Sequence, residues 1–222
     1  MNDAMTLLRL SVFACALAFT GCVETRFESP IGDKADACDA RWKGLWIDAG
    51  DSKDAAPAGA DAVFYVDKDC GFSALDVRDT GTVKQVRVPV NYAHLDGKDY
   101  VFVSDRDFKD IAEVKPPHGI VPMPEQSYFF ARYEVRGDRL DFYLVDSDRT
   151  AKLVIDGKLD GTVDKANNEL HVYVRGNRSQ MQDIVRSQPV FDEKPVTLAR
   201  SKQSLAEYER SLKRAGKRGG AR

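Results

Sequence analysis

Apolar and polar residues alternate along most of the chain after Trp42. Val86, Val88, Val90 and Tyr92 interleave with Gln85, Arg87, Pro89 and Asn91; Leu140, Phe142 and Leu144 with Arg139, Asp141 and Tyr143; Leu170, Val172 and Val174 with His171, Tyr173 and Arg175. A period of two puts one set on a buried face and the other in water, the mark of a half-buried strand. The pattern predicts strands near 42–48, 62–67, 72–78, 83–92, 99–104, 127–135, 139–145, 168–175 and 190–199. Arg136-Gly137-Asp138 reads as a tight hairpin connection, because glycine accepts the positive φ that short hairpins require.

Three stretches change to helical spacing. Ser147 or Asp148 can cap a first helix whose apolar face is Ala151, Val154 and Ile155, with Gly157 at its end. Asn177 can cap a second, with Met181, Ile184 and Val185 inward and Pro189 beyond its end. Ser201 to Arg214 carries Leu205, Tyr208 and Leu212 on one side before a basic tail.

The N-terminal pattern is different again. Arg9 precedes an apolar run from Leu10 to Phe19, then small residues Thr20 and Gly21, then Cys22. These are the parts of a secretory signal. The run is shorter than the ~20 apolar residues of a membrane-spanning helix, since Glu24, Arg26 and Glu28 follow. Asp3 is out of place in a basic flank, which makes Met5 an alternative start to Met1.

Phe19-Thr20-Gly21-Cys22 resembles the lipobox of bacterial lipoproteins, with Phe19 where the family usually has Leu. The resemblance implies that Cys22 carries a diacylglycerol and becomes the first residue of the mature protein. Val23, rather than Asp, at the next position implies sorting to the outer membrane, facing the periplasm. The expected partner is therefore a lipid bilayer through acylated Cys22, which two or more acyl chains hold firmly and one only marginally.

Four segments follow. Residues 1–21 read as signal peptide, 22–37 as acylated N-terminus and flexible tether, 38–200 as an antiparallel β domain, and 201–222 as amphipathic helix and basic tail. The tether is inferred because Val23 to Ala37 reads as polar and without periodicity.

Composition narrows the classes. A formal net charge of −2 argues against a general nucleic-acid binder, and 43% hydrophobic residues against overall disorder. Cys15 leaves with the signal and Cys22 carries lipid, so Cys38 and Cys70 remain as the expected disulfide pair of an oxidising compartment. His94, His118 and His171 show no ligand spacing to either cysteine, so neither metal nor cofactor is expected.

Two further motifs carry resemblances. Trp42-Lys-Gly44-Leu-Trp46 resembles the Gly-x-Trp of lipocalins and related calycin barrels, where a tryptophan plugs one barrel end. The stretch from Tyr128 to Asp146, with Asp156-Gly-Lys-Leu-Asp-Gly161, is similar to a group of uncharacterised bacterial envelope proteins, over about Trp42 to Arg200. That group implies no catalytic residue. The expected fold is mainly β: an antiparallel calycin/lipocalin-like barrel or sandwich with two or three short helices.

Chemical motifs are sparse. The chain has no Gly-x-Ser-x-Gly elbow, no His-Glu-x-x-His, no phosphate-cradling glycine loop and no Cys-x-x-Cys, so no catalytic residue is assigned. Aspartates at 67 and 69, at 105, 107 and 110, and at 146, 148 and 156 lack the calcium-loop order and suit turns and caps. The long connection Asp105 to Gln126 holds four prolines between 116 and 124, with Ile120, Val121 and Met123 as a candidate partner-binding loop or a cover for the sheet.

These features fit a non-catalytic binding module whose barrel mouth, lined by Phe129, Tyr133 and Phe142, takes a small apolar ligand. The alternative is a structural or accessory subunit of an envelope protein assembly, with a filled interior and recognition on its loops. An envelope hydrolase rests on location alone.

Overall fold

Twelve strands form one mixed sheet that curls around a tryptophan without closing. The computed structural model describes residues 23–32, 39–49, 62–77, 83–108, 117, 119–166 and 169–219. The strands are β1 (Val23–Phe27), β2 (Gly44–Asp48), β3 (Ala62–Val66), β4 (Phe72–Val77), β5 (Val83–Arg87), β6 (Asn91–Leu95), β7 (Lys98–Ser104), β8 (Tyr128–Arg136), β9 (Arg139–Leu144), β10 (Gly161–Ala166), β11 (Glu169–Val174) and β12 (Val196–Arg200). Helices α1 (Ser147–Ile155), α2 (Arg178–Ser187) and α3 (Leu205–Gly219) run for 9, 10 and 15 residues.

The sheet order is β10-β11-β1-β8-β9-β12-β2-β3-β4-β5, with β6 and β7 branching from β8. Strand β8 is nine residues long and serves both branches: β7 pairs with it from Tyr128 to Tyr133, β9 from Ala131 to Arg136, and β1 meets it at Tyr128. Its first four residues, Tyr128, Phe129, Phe130 and Ala131, are all buried, as a strand covered on both faces requires.

This architecture corrects the expected antiparallel calycin-like barrel or sandwich with short helices. Strand β1 runs parallel to β11, with Glu24 opposite His171 and Phe27 opposite Val174. Closure also fails, because β5 ends the main path while β6 pairs with β7. The predicted single strand over 83–92 is two strands, broken at Val88-Pro89-Val90, where proline has no N–H for the ladder.

The expected tether is corrected as well. Residues 23–27 form β1, between β11 and β8, and Phe27 and Ile31 are fully buried. Five residues with Glu24 and Arg26 among them look polar in sequence, but Val23, Thr25 and Phe27 alternate with those charges. Strand β10 was not among the predicted strands, and Asp146, rather than Ser147 or Asp148, caps α1 by accepting from the Arg149 amide at 2.9 Å. Asn177 caps α2 as expected, in a reciprocal box with Gln180.

Alternate faces of β7 and β8 feed two cores. Val101, Val103, Phe129, Ala131 and Tyr133 point into the first, around Trp42. Tyr100, Phe102, Tyr128 and Phe130 point into the second, with Phe27, Val172 and Val174 under α1 and α2. A smaller third cluster packs Leu205, Tyr208 and Leu212 of α3 on Leu45, Ile47 and Tyr65.

Candidate functional site

Trp42 fixes the shape of the first core. Its ring meets Phe64 of β3 at 5.6 Å, Phe72 of β4 at 6.3 Å, Tyr92 of β6 at 5.2 Å, Tyr133 of β8 at 4.8 Å and Phe142 of β9 at 5.2 Å, between centroids. Strands far apart in the sheet order thus reach one side chain, which is why the sheet curls. The three residues suggested for a ligand mouth lie inside this packing: Phe129, Tyr133 and Phe142 are each less than 5% exposed. Their area is spent on one another and on Trp42, and aromatic pairs of this geometry add about 0.5–1.5 kcal/mol each beyond burial.

A polar clasp borders Trp42. The Tyr133 hydroxyl donates to Asp39 at 2.8 Å, Arg41 bridges Asp39 at 2.6 Å and Asp99 at 2.7 Å, and His94 Nδ1 lies 2.7 Å from Asp99. Burial works to raise the Asp39 pKa, but hydrogen bonds from Arg41 and Tyr133 outweigh it and hold the carboxyl below its usual range. Burial, reinforced by the Asp39 charge, pushes the Tyr92 and Tyr133 hydroxyls well above the ordinary phenol range. Arg200 secures the neighbouring Trp46, its guanidinium 4.4 Å from the ring centroid, while Trp46 Nε1 donates to the Trp42 carbonyl at 2.7 Å.

A second polar cluster lies on β1 and β11. The period of two that sends Thr25 and Phe27 toward α1 and the second core sends Glu24 and Arg26 to the opposite face. Arg26 is 3% exposed; its Nη2 lies 3.1 Å from Glu24 and its Nη1 3.7 Å from Asp105, and its guanidinium lies over Phe129 at 5.2 Å. His171 stands between Glu24 at 3.1 Å and Glu169 at 3.5 Å. Ser127 donates to Asp105 at 2.6 Å. Among the described residues, Nε and Nη1 of Arg26, and the Tyr173 hydroxyl, find no hydrogen-bond partner. Burial, with the charge of Glu28, pushes the Tyr173 hydroxyl up to about 12.

The chemistry of this cluster is charge matching. Two carboxylates already face the single buried guanidinium, so an added anion meets repulsion as well as attraction. Among the described residues, no three His, Cys, Asp or Glu are grouped to hold a metal ion. Sequence reasoning missed Arg26 because its segment had been read as a tether; the alternation of Val23, Thr25 and Phe27 was the available signal.

Loop 119–127 lies beside the cluster. Gly119 takes φ 71° against β10, where a Cβ would stand 2.9 Å from Asp164 Oδ2, so both conformation and closeness select glycine. Of the residues suggested for partner contact, Val121 is 89% and Met123 63% exposed, while Ile120 is partly buried. Cys22 and Cys38 lie outside the described residues; Cys70, at φ 69°, is disulfide-bonded. Among the described residues, no helix is long and apolar enough to cross a membrane.

No family model, curated protein or solved structure matches the chain.

Proposed function

We propose that this chain is a bacterial envelope lipoprotein, anchored by acyl chains on Cys22 in the outer membrane and facing the periplasm, whose domain is a non-catalytic accessory module acting through its exterior. The observation that carries the reading is the occupied interior: Trp42 and the rings of Phe64, Phe72, Tyr92, Tyr133 and Phe142 fill the space in which an apolar ligand would lie. The lipobox residues Phe19 to Cys22 support the anchor, and β1 beginning at Val23 supports a domain held close to the bilayer. The exposed side chains of Val121 and Met123 are the contact surface this reading assigns.

Native mass spectrometry of the acylated protein, with crosslinking in intact membranes, tests the reading. A mass equal to protein plus acyl chains, and one crosslinked envelope protein recovered in fixed ratio, is the expected result. A retained apolar molecule that leaves only on unfolding would overturn it in favour of a ligand carrier.

A further inference from the structure

We infer that the outer side of α3, with the turn that precedes it, is a docking cleft for an acidic peptide segment of a partner protein. The inference goes beyond the anchor proposed above and holds whether or not Cys22 is acylated.

Charge is divided unevenly along the chain. Residues 201–222 hold seven of the 33 Lys and Arg but two of the 35 Asp and Glu, so they carry +5 while the rest of the chain carries −7. A basic segment on an otherwise acidic protein draws an anionic partner to one place on its surface and orients it there.

The fold gives that segment a shape. Leu205, Tyr208 and Leu212 hold one side of α3 on Leu45, Ile47 and Tyr65. Glu207, Arg210, Ser211 and Arg214, spaced i, i+3, i+4 and i+7, share another side. Together with Lys202 and Gln203 they line an open cleft of about 430 Å³. That volume falls among sites that hold organic ligands, roughly 300–1,000 Å³, and is far more than one inorganic ion fills.

The cations of the cleft are uncommitted. Lys202, Arg210 and Arg214 are exposed, and among the described residues no salt bridge engages any of them. Arg210 Nε donates to the Ala206 carbonyl at 3.1 Å, which steadies the guanidinium against the helix and leaves its terminal nitrogens for a ligand. The helix N-terminus itself is already closed: Glu207 Oε2 accepts from the amide and the hydroxyl of Ser204, both at 2.8 Å, and the Glu207 amide donates to Ser204 Oγ at 3.3 Å. Side chains, not free backbone amides, therefore make the site.

The mixture of groups selects a peptide. Three cations stand with the Glu207 carboxylate and the Gln203 carboxamide. A compact phosphate dianion gains from the cations but is repelled by Glu207. An acidic peptide sets its side-chain carboxylates on Lys202, Arg210 and Arg214, and its main-chain N–H groups supply donors for the oxygens of Glu207 and Gln203.

Fluorescence anisotropy of a labelled, end-blocked hexaglutamate peptide, titrated with the full chain in neutral detergent, tests the assignment. The expected result is saturable binding at low salt that weakens as salt is raised. Arg210→Gln with Arg214→Gln should weaken it about tenfold, the loss of two charge-assisted contacts. Glutamine keeps the helix propensity, so this variant should unfold at the wild-type urea concentration. The control is Lys158→Gln with Lys165→Gln, which removes equal charge from two exposed positions near and on β10, at the other end of the sheet order, and should leave binding unchanged. Absence of saturable binding, or equal weakening by the two double variants, would overturn the cleft. A Cys22→Ala chain that ignores the peptide but floats with dioleoylphosphatidylglycerol vesicles, and loses them with Arg210 and Arg214, would overturn it in favour of a lipid surface.

Discussion

Phe27→Ala separates a built strand from a tether more sharply than any other substitution. Phe27 is fully buried, stacked on Phe130 with centroids 4.1 Å apart and planes 10° apart, and packed among Ile31, Val172 and Val174 in the second core. Truncating such a ring removes its transfer free energy and leaves a cavity, together about 3–5 kcal/mol. The stacked pair lies within that figure, so about 4 kcal/mol is the expected loss. For a chain of this length it corresponds to a fall in Tm of roughly 8–16 °C. Urea unfolding of the detergent-solubilised full chain, followed through Trp42 and Trp46, measures it. A loss below about 1 kcal/mol, near the ±0.5 kcal/mol typical of exposed positions, would refute the placement of β1 in the core.

Asp39→Asn should destabilise the protein at pH 7 and flatten its acid response. The carboxyl is held below its unfolded pKa, so its contribution is complete above about pH 4 and is lost as pH falls through the folded value; urea midpoints at pH 7 and pH 3 would show the difference shrinking. Gly161→Ala should cost about 1–3 kcal/mol, because its Cβ would collide with the Tyr173 carbonyl, a backbone atom fixed in the β10–β11 ladder. Replacing Val121 and Met123 with Ser should change the urea midpoint by less than about 0.5 kcal/mol equivalent, since both are exposed; a larger loss would make the loop a cover for the sheet.

Period-two alternation located most strands because it reflects a local constraint, one face buried and one wet. The same rule reached Leu140 and Phe142 on β9, and Val172 and Val174 on β11. It could not show that β8 is buried on both faces, since a continuous apolar run does not say which neighbour covers which side. Parallel pairing of β1 with β11 joins segments about 147 positions apart, as Glu24 and His171 show, and no local pattern encodes that partner. Barrel closure was equally hidden: the break at Pro89 was visible, but the failure of β5 to meet β6 depends on how the whole sheet curls. The aromatic residues suggested for a ligand were recognised as inward-facing; what sequence could not convey was that Trp42 already fills the space between them.

Arg26 illustrates a related limit. A charged residue in a short segment next to a signal reads as solvated, yet here two carboxylates and the Phe129 ring surround it with 3% of its side chain exposed. Removing a partner from such a group leaves a buried charge uncompensated, which is why the segment cannot behave as free chain.

Fatty-acid labelling of the wild-type chain beside Cys22→Ala, with membrane and soluble fractions separated after high-salt washing, tests the anchor most directly. Labelled palmitate on the wild type, with label lost and most of the protein released in Cys22→Ala, is the predicted result. Label retained by Cys22→Ala, or a wild-type protein that is unlabelled and soluble, would contradict it.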